Sequence, residues 1–147
     1  MTMSEARIET MTLANAKWRP LTGGKLKLMI CDDSNIIRRK IERELCIEQL
    51  QVVATAANGR QALEAFRKEP ADVVTMDLTM PEMDGIECVE HLVRLKPDVL
   101  ILVISALADK ATAIEALKKG ANGFLCKPFT DRQLTEALQE LLRGAEA

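Results

Sequence analysis

The sequence predicts an α/β domain built on a doubly wound, five-stranded parallel sheet. Two observations predict it: short apolar segments alternate five times with segments whose apolar residues recur at helical spacing, and the connections between them are short. A third agrees, because Val99 to Ile104 is apolar throughout, as a strand covered on both faces should be. With 147 residues, 48% hydrophobic and 29% charged, the chain suits one globular domain with a real core. A net charge of -2 without a local basic patch argues against nucleic acid or an anionic membrane as partner. Val99 to Ile104, the longest aliphatic run, is far short of the roughly 18 residues that suggest a membrane span. The amino terminus lacks the apolar centre of a signal peptide, so the expected location is the cytoplasm.

Residues 1–24 are polar and mixed, lack a sustained period and end in Pro20-Leu21-Thr22-Gly23-Gly24, which reads as a flexible amino-terminal extension. The alternative is a short helix over Ile8 to Trp18 that docks on the domain or on a partner, with the single tryptophan as its anchor. Lys25 to Cys31 reads as the first strand, ending at Asp32-Asp33. Ser34 suits a helix N-cap, and Ile37, Ile41 and Leu45 then recur every four residues opposite Arg38, Arg39, Glu42 and Arg43. Gln51 to Ala56 is a second strand; Asn58-Gly59 turns the chain into a helix marked by Ala62, Leu63 and Phe66, which must close before Pro70.

Asp72 to Asp77 is the third strand, apolar at Val73, Val74 and Met76, and a polar turn punctuated by Pro81 and Gly85 follows it. The third helix places Ile86, Val89 and Val93 inward and stops near Lys96-Pro97. Ser105 ends the fourth strand, and Ala111 to Lys119 is a helix with Ile114 and Leu117 inward and Gly120 at its C-cap. Gly123 to Cys126 is the fifth strand, Lys127-Pro128 a turn, and Thr130 caps a last helix carrying Leu134, Leu138 and Leu141. The domain is expected over residues 25–143, with 144–147 a short tail. Cys31, Cys46, Cys88 and Cys126 lie far apart with no C-x-x-C pair, and read as buried or half-buried reduced thiols. His91, the only histidine, reads as a helix-surface residue.

Five such units imply a flavodoxin-like (βα)5 arrangement with strand order 2-1-3-4-5 and right-handed crossovers. Its consequence is positional. Asp32 and Asp33 end strand 1, Asp77 ends strand 3, Ser105 ends strand 4 and Lys127 ends strand 5, so four separate segments deliver polar groups to one edge of one sheet. Carboxylates gathered there repel by about 4 kcal/mol per pair at 4 Å and an effective dielectric near 20. Mg²⁺, which takes a couple of carboxylates plus a phosphate, would relieve that repulsion. Lys127 adds a positive charge and Ser105 a hydroxyl, both natural partners for phosphate oxygens. The set reads as a phosphoryl-transfer site.

Four motifs in register now carry a family resemblance: the Asp32-Asp33 pair, Asp77 followed by Met80-Pro81 and Asp84-Gly85, Ser105-Ala106, and Lys127-Pro128-Phe129. Over Lys25 to Arg143 the chain resembles the receiver domain of two-component response regulators, and the stand-alone, chemotaxis-type members in particular. The resemblance implies that Asp77 is the phosphoacceptor, that Asp33, Asp77 and the backbone carbonyl of Thr79 bind Mg²⁺ with help from Asp32, and that Ser105 and Lys127 contact the phosphoryl group. It implies a cis peptide between Lys127 and Pro128, and a switch in which Ser105 and the strand-5 aromatic, here Phe124, report phosphorylation to the face of helix 4, strand 5 and helix 5. Ala113, Lys118, Lys119 and Phe124 are candidates on that face.

The implied partners are a sensor histidine kinase or phosphotransfer protein and a phosphorylation-dependent protein target. The expected state is a monomer, with dimerisation on phosphorylation as the alternative. Such a protein is a signalling receiver that catalyses its own phosphoryl transfer and dephosphorylation rather than an enzyme. Phosphorelay intermediate, phosphate sink and receiver fragment of a transcriptional regulator are the related readings. The chain departs from the family pattern in two ways: Ser105 stands where Thr is commoner, and Phe124 lacks the hydroxyl of a Tyr. Thr79 and Leu107 occupy positions that tune phosphoryl lifetime in the family. A phosphatase of the haloacid dehalogenase type also pairs an Asp nucleophile with Mg²⁺, but Thr79 stands where its second Asp would be.

Overall fold

The computed structural model describes residues 25–45, 47, 49–106 and 109–146. The expected extension over 1–24, with Trp18, and the expectations for Cys46 and Leu107 lie outside the described residues. The elements follow in strict alternation: β1 (Leu26–Cys31), α1 (Asn35–Glu44), β2 (Leu50–Ala56), α2 (Gly59–Lys68), β3 (Val73–Met76), α3 (Gly85–Leu95), β4 (Leu100–Ser105), α4 (Lys110–Lys118), β5 (Gly123–Cys126) and α5 (Asp131–Glu146). The strands pair in parallel in the order β2-β1-β3-β4-β5, as expected.

Period-2 alternation splits the core into two layers. Met29, Val74, Met76, Ile101 and Val103 face α2, α3 and α4, where they meet Phe66, Val89, Leu92 and Ala116. Leu28, Ile30, Leu102 and Ile104 face α1 and α5, where they meet Ile41, Leu134, Leu138 and Leu141. Every helix starts on a side-chain cap at the carboxyl edge of the sheet. Ser34, Asn58, Asp84 and Asp109 accept from the backbone N–H groups of Ile37, Gln61, Ile86 and Thr112. Thr130 and Gln133 form a reciprocal capping box, with Gln133 N–H donating to Thr130 Oγ1 at 3.1 Å and Thr130 N–H to Gln133 Oε1 at 2.9 Å. These caps end the βα loops at fixed points, and the loops carry the polar groups.

Some expectations are corrected. In α4 the buried residue is Ala116, while Ile114 and Leu117 are 41% and 47% exposed. The helix lies close to its neighbours through small residues: a Cβ on Gly120, just past its end, would fall 2.6 Å from Val93 Cγ2 of α3. Its larger residues therefore turn outward. In α3 the fully buried residues are Cys88, Val89 and Leu92, with Ile86 and Val93 half-buried at the sides of that face. Cys31 and Cys88 are buried thiols, but Cys126 is exposed, because β5 is an edge strand. Helix α5 runs to Glu146, through most of the stretch expected as a tail. Among the described residues no helix is long and apolar enough to cross a membrane.

Candidate functional site

The site is built by strands that end in register. Cys31 and Met76 are neighbours across β1 and β3, so the next residues, Asp32 and Asp77, stand side by side. Each still belongs to the ladder: Asp32 N–H donates to Ala56 O at 3.0 Å and Asp77 N–H to Cys31 O at 2.9 Å. Lys127 repeats the pattern on the other side, with its N–H donating to Ser105 O at 3.0 Å. The backbone thus fixes three of the functional side chains one bond beyond the strands that carry them.

Asp32, Asp33 and Asp77 offer carboxylate oxygens that all lie within 4.8 Å of one another. Asp32 and Asp77 are buried and Asp33 is exposed, so the cluster opens to solvent on one side. Lys127 Nζ lies 2.7 Å from Asp32 Oδ2 and 3.7 Å from Asp77 Oδ2, bridging the two buried acids. Asp32 is further held by the N–H of Ser34, which donates to its Oδ1 at 2.9 Å. Thr79 folds back over Asp77, with its N–H 3.3 Å from Oδ1 and its hydroxyl 3.3 and 3.4 Å from the two carboxylate oxygens. Ser105 is fully buried at the end of β4, opposite Cys126 of β5. Phe124 is half-buried on the α2–α4 side of β5, opposite Val103 and away from the acids. The Lys127–Pro128 peptide is cis.

The electrostatics are those of an anion-crowded pocket. Burial, and then the negative Asp32, push the carboxyl of Asp77 above its ordinary value. Lys127 and the Thr79 N–H pull it back down, and Asp33 raises it again. One lysine does not neutralise three acids. The donors are all hard oxygens with an open, solvated side, which fits a small hard cation such as Mg²⁺ that keeps part of its water shell.

Two residues of α1 that the sequence left on a solvated face belong to the frame of the site. Arg38 Nη1 donates to Asp32 O at 2.6 Å, clamping the β1–α1 loop. Lys40 Nζ donates to Phe129 O at 2.8 Å and lies 4.8 Å from the centroid of the Phe129 ring, which ties α1 to the loop that carries Lys127. The partner of Lys40 is 89 residues away, so no local pattern announces it. Gly85 is a further constraint: a Cβ there would fall 2.4 Å from Asp77 O and 2.5 Å from Leu78 Cα, so only glycine lets α3 start this close to the acid.

Comparison with known proteins agrees with this geometry. The model of the response regulator receiver domain matches residues 28–139, and the chain belongs to that family. It is a receiver of two-component signalling, of the chemotaxis type. It is 36% identical over 115 residues to the chemotaxis protein CheY of Thermotoga maritima, covering 78% of this chain and 96% of that one. The CheY of Bacillus subtilis is also 36% identical, over 116 residues, with 79% and 97% covered. Among solved structures, the Borrelia burgdorferi CheX–CheY–BeF3–Mg complex superposes with a TM-score of 0.77 at 28% identity, covering 82% of this chain and 92% of that chain. Vibrio cholerae CheY4 gives 0.72 at 33% identity, covering 80% and 98%.

Proposed function

We propose that this receiver is a phosphorylation-activated switch in which Asp77 accepts a phosphoryl group from a phosphohistidine on a sensor kinase or phosphotransfer protein. The observation that supports this most directly is the position of Asp77: buried on the central strand, beside two further carboxylates, with Lys127 Nζ 3.7 Å from Oδ2. A carboxylate oxygen of Asp77 forms the new O–P bond as the P–N bond to the donor imidazole breaks, with the electron pair returning to that ring. Lys127 and Ser105 hold the phosphoryl oxygens. Asp32, Asp33, Asp77 and the carbonyl of Thr79 would hold Mg²⁺, whose charge offsets that of the incoming phosphoryl oxygens. Water later cleaves the acyl phosphate, restoring the carboxylate and releasing inorganic phosphate.

Charge-assisted bonds from Ser105 and Lys127 are worth about 1.5 to 3 kcal/mol each. Their sum is comparable to the roughly 5.5 kcal/mol that inverts a 1:99 equilibrium. Bonds made only to the phosphorylated form can therefore move Ser105, and with it Phe124, between two states. The readout surface on this reading is the α4/β5/α5 face, where Ala113, Lys118, Lys119 and Phe124 are joined by the outward-facing Ile114 and Leu117. Its ligand is a protein target recognised after phosphorylation, in the cytoplasm, and the receiver unit spans residues 25–143.

The test is incubation of the protein with Mg²⁺ and a small phosphodonor such as acetyl phosphate, followed by intact mass. One added phosphoryl group is expected on the wild type and none on Asp77→Asn, and chelation with EDTA should prevent labelling. Equal labelling of Asp77→Asn would remove Asp77 from its role, and labelling that survives EDTA would remove the metal.

A further inference from the structure

A cleft of about 480 Å³ lies at the end of the sheet away from the acids, between β5 and the last turns of α5. Leu100, Leu102, Gly123, Ala137, Leu141 and Gly144 line it, and Glu140 adds a carboxylate. Two glycines keep it open. A Cβ on Gly123 would project to 3.2 Å from Leu102 Cδ1 and 3.6 Å from Leu141 Cδ1, and a Cβ on Gly144 would meet nothing within 4 Å. Residues 137, 140, 141 and 144 share one face of α5, so the cleft has a continuous helical wall. Its other wall belongs to the edge strand, since β5 pairs with β4 alone.

The position of the cleft relative to the start of the domain indicates what could cover it. Leu26, where β1 begins, lies in the same core layer as Leu100, Leu102 and Leu141. In a parallel sheet the starts of β1, β4 and β5 share one edge, so residues 1–24 enter the fold on the edge where the cleft opens. From β1 to β5 the sheet is three strand spacings wide, about 14 Å. The eight residues from Trp18 to Leu26 reach about 26 to 29 Å when extended, ample for the distance. The chain also offers a suitable occupant: Trp18, its only tryptophan, lies between Lys17 and Arg19. A large aromatic body suits the apolar lining, and a flanking cation suits Glu140.

We propose that the segment around Trp18 folds back over the domain and covers the β5/α5 cleft, placing the indole against its apolar lining and a neighbouring cation beside Glu140. The β5/α5 border is part of the proposed readout face, so the docked segment would compete there with an incoming target. Docking itself requires no phosphorylation. Its failure and the failure of the Asp77 reading are therefore separately visible.

Trp18 is its own probe. Its emission and acrylamide quenching are measured on the full-length chain at several dilutions, for the wild type, Gly144→Leu and Glu140→Lys. Gly144→Leu fills the mouth of the cleft at a point with free space and replaces a poor helix former, so α5 should persist, as far-UV circular dichroism would show. Glu140→Lys reverses the charge at an exposed site. The expected result is a blue-shifted wild-type emission with quenching several-fold below that of the urea-unfolded chain. Gly144→Leu should move both values most of the way to the unfolded ones, and Glu140→Lys part of the way. The proposal is overturned if the folded wild type already matches the unfolded chain. It is equally overturned if protection ignores both substitutions, or if protection disappears on dilution, which would make a second copy the occupant.

Discussion

The two strands that carry the charged centre of the site, β3 and β5, are held in opposite ways. Every residue of β3 is buried, it pairs on both sides, with β1 and β4, and its ladder continues into Asp77 itself. Strand β5 pairs on one side only, and its residues run from half-buried to exposed. The acceptor carboxylate is therefore fixed by the densest part of the fold, while Lys127 is delivered by an edge that is cheaper to displace. That division suits a switch: the reacting atom stays where it is, and the groups that respond to its charge can move. Lys127 and Phe124 sit on the movable strand, and Ser105, whose carbonyl receives the Lys127 N–H, is the link between the two.

The largest expected effect comes from breaking the fixed side. Gly85→Ala forces a Cβ to within 2.4 Å of Asp77 O and 2.5 Å of Leu78 Cα, both backbone atoms that cannot rotate away. It should cost about 3 kcal/mol or more, and any folded protein should label slowly, because relief of the clash displaces Asp77. The matching change on the edge, Gly123→Ala, meets only the ends of Leu102 and Leu141 at 3.2 and 3.6 Å. It should shift stability by no more than about 1 kcal/mol. Urea denaturation of the two variants measures the contrast directly, and equal losses would erase it.

A smaller effect separates structural from functional demands on Asp77. Its carboxyl is held above the ordinary value by burial and by Asp32, so the folded state binds its proton more tightly than the unfolded state does. For an acid shifted in this direction, ionisation costs stability above the folded value, and the cost disappears as pH falls through that value. In EDTA near neutrality Asp77→Asn should thus be more stable than the wild type, by about 1 to 2 kcal/mol, within the ordinary range for single substitutions. The gap should narrow as pH falls towards the ordinary carboxylate value of 3.8. Thermal melts of both proteins across that range test the sign. A variant less stable than the wild type at neutrality would mean that the Lys127 ion pair outweighs the crowding of the acids.

Most of the fixed side was legible in the sequence, and much of the movable side was not. Strands β1, β3 and β4 are buried on both faces, so they read as nearly unbroken apolar runs, and Asp32, Asp77 and Ser105 stand out because each interrupts one. The orientation of α4 was illegible because two faces compete for it. Ile114 and Leu117 carry the greater hydrophobicity, but Ala116 lets the helix lie closer to the sheet and takes the buried place. The end of α5 was misplaced for a related reason. Gly144 disfavours helix by about 1 kcal/mol locally, while the buried Leu141 and Leu142 just before it hold the last turns in place. Arg38 and Lys40 look like surface charges in any helical projection, and only the tertiary fold brings Asp32 O and Phe129 O within their reach.

Lys40 gives the smallest and most discriminating test, because it is the one contact described here that ties the loop after β5 back to α1. Its ammonium donates to Phe129 O at 2.8 Å and stands 4.8 Å from the ring, two residues beyond Lys127. Lys40→Met keeps the apolar stem and removes the donor, so the loop loses one hydrogen bond, worth about 0.5 to 1.5 kcal/mol. If that bond positions Lys127, the rate of labelling by acetyl phosphate and Mg²⁺ should fall by up to about tenfold, since 1.4 kcal/mol corresponds to a factor of ten. Lys40→Arg, which can still reach the carbonyl and stack on the ring, should recover most of the rate. A small-molecule donor is essential to the design, because a protein donor could touch α1 itself. If Lys40→Met lowers the melting temperature but labels at the wild-type rate, Lys40 is a structural tie only, and the movable edge reaches its working position without help from α1.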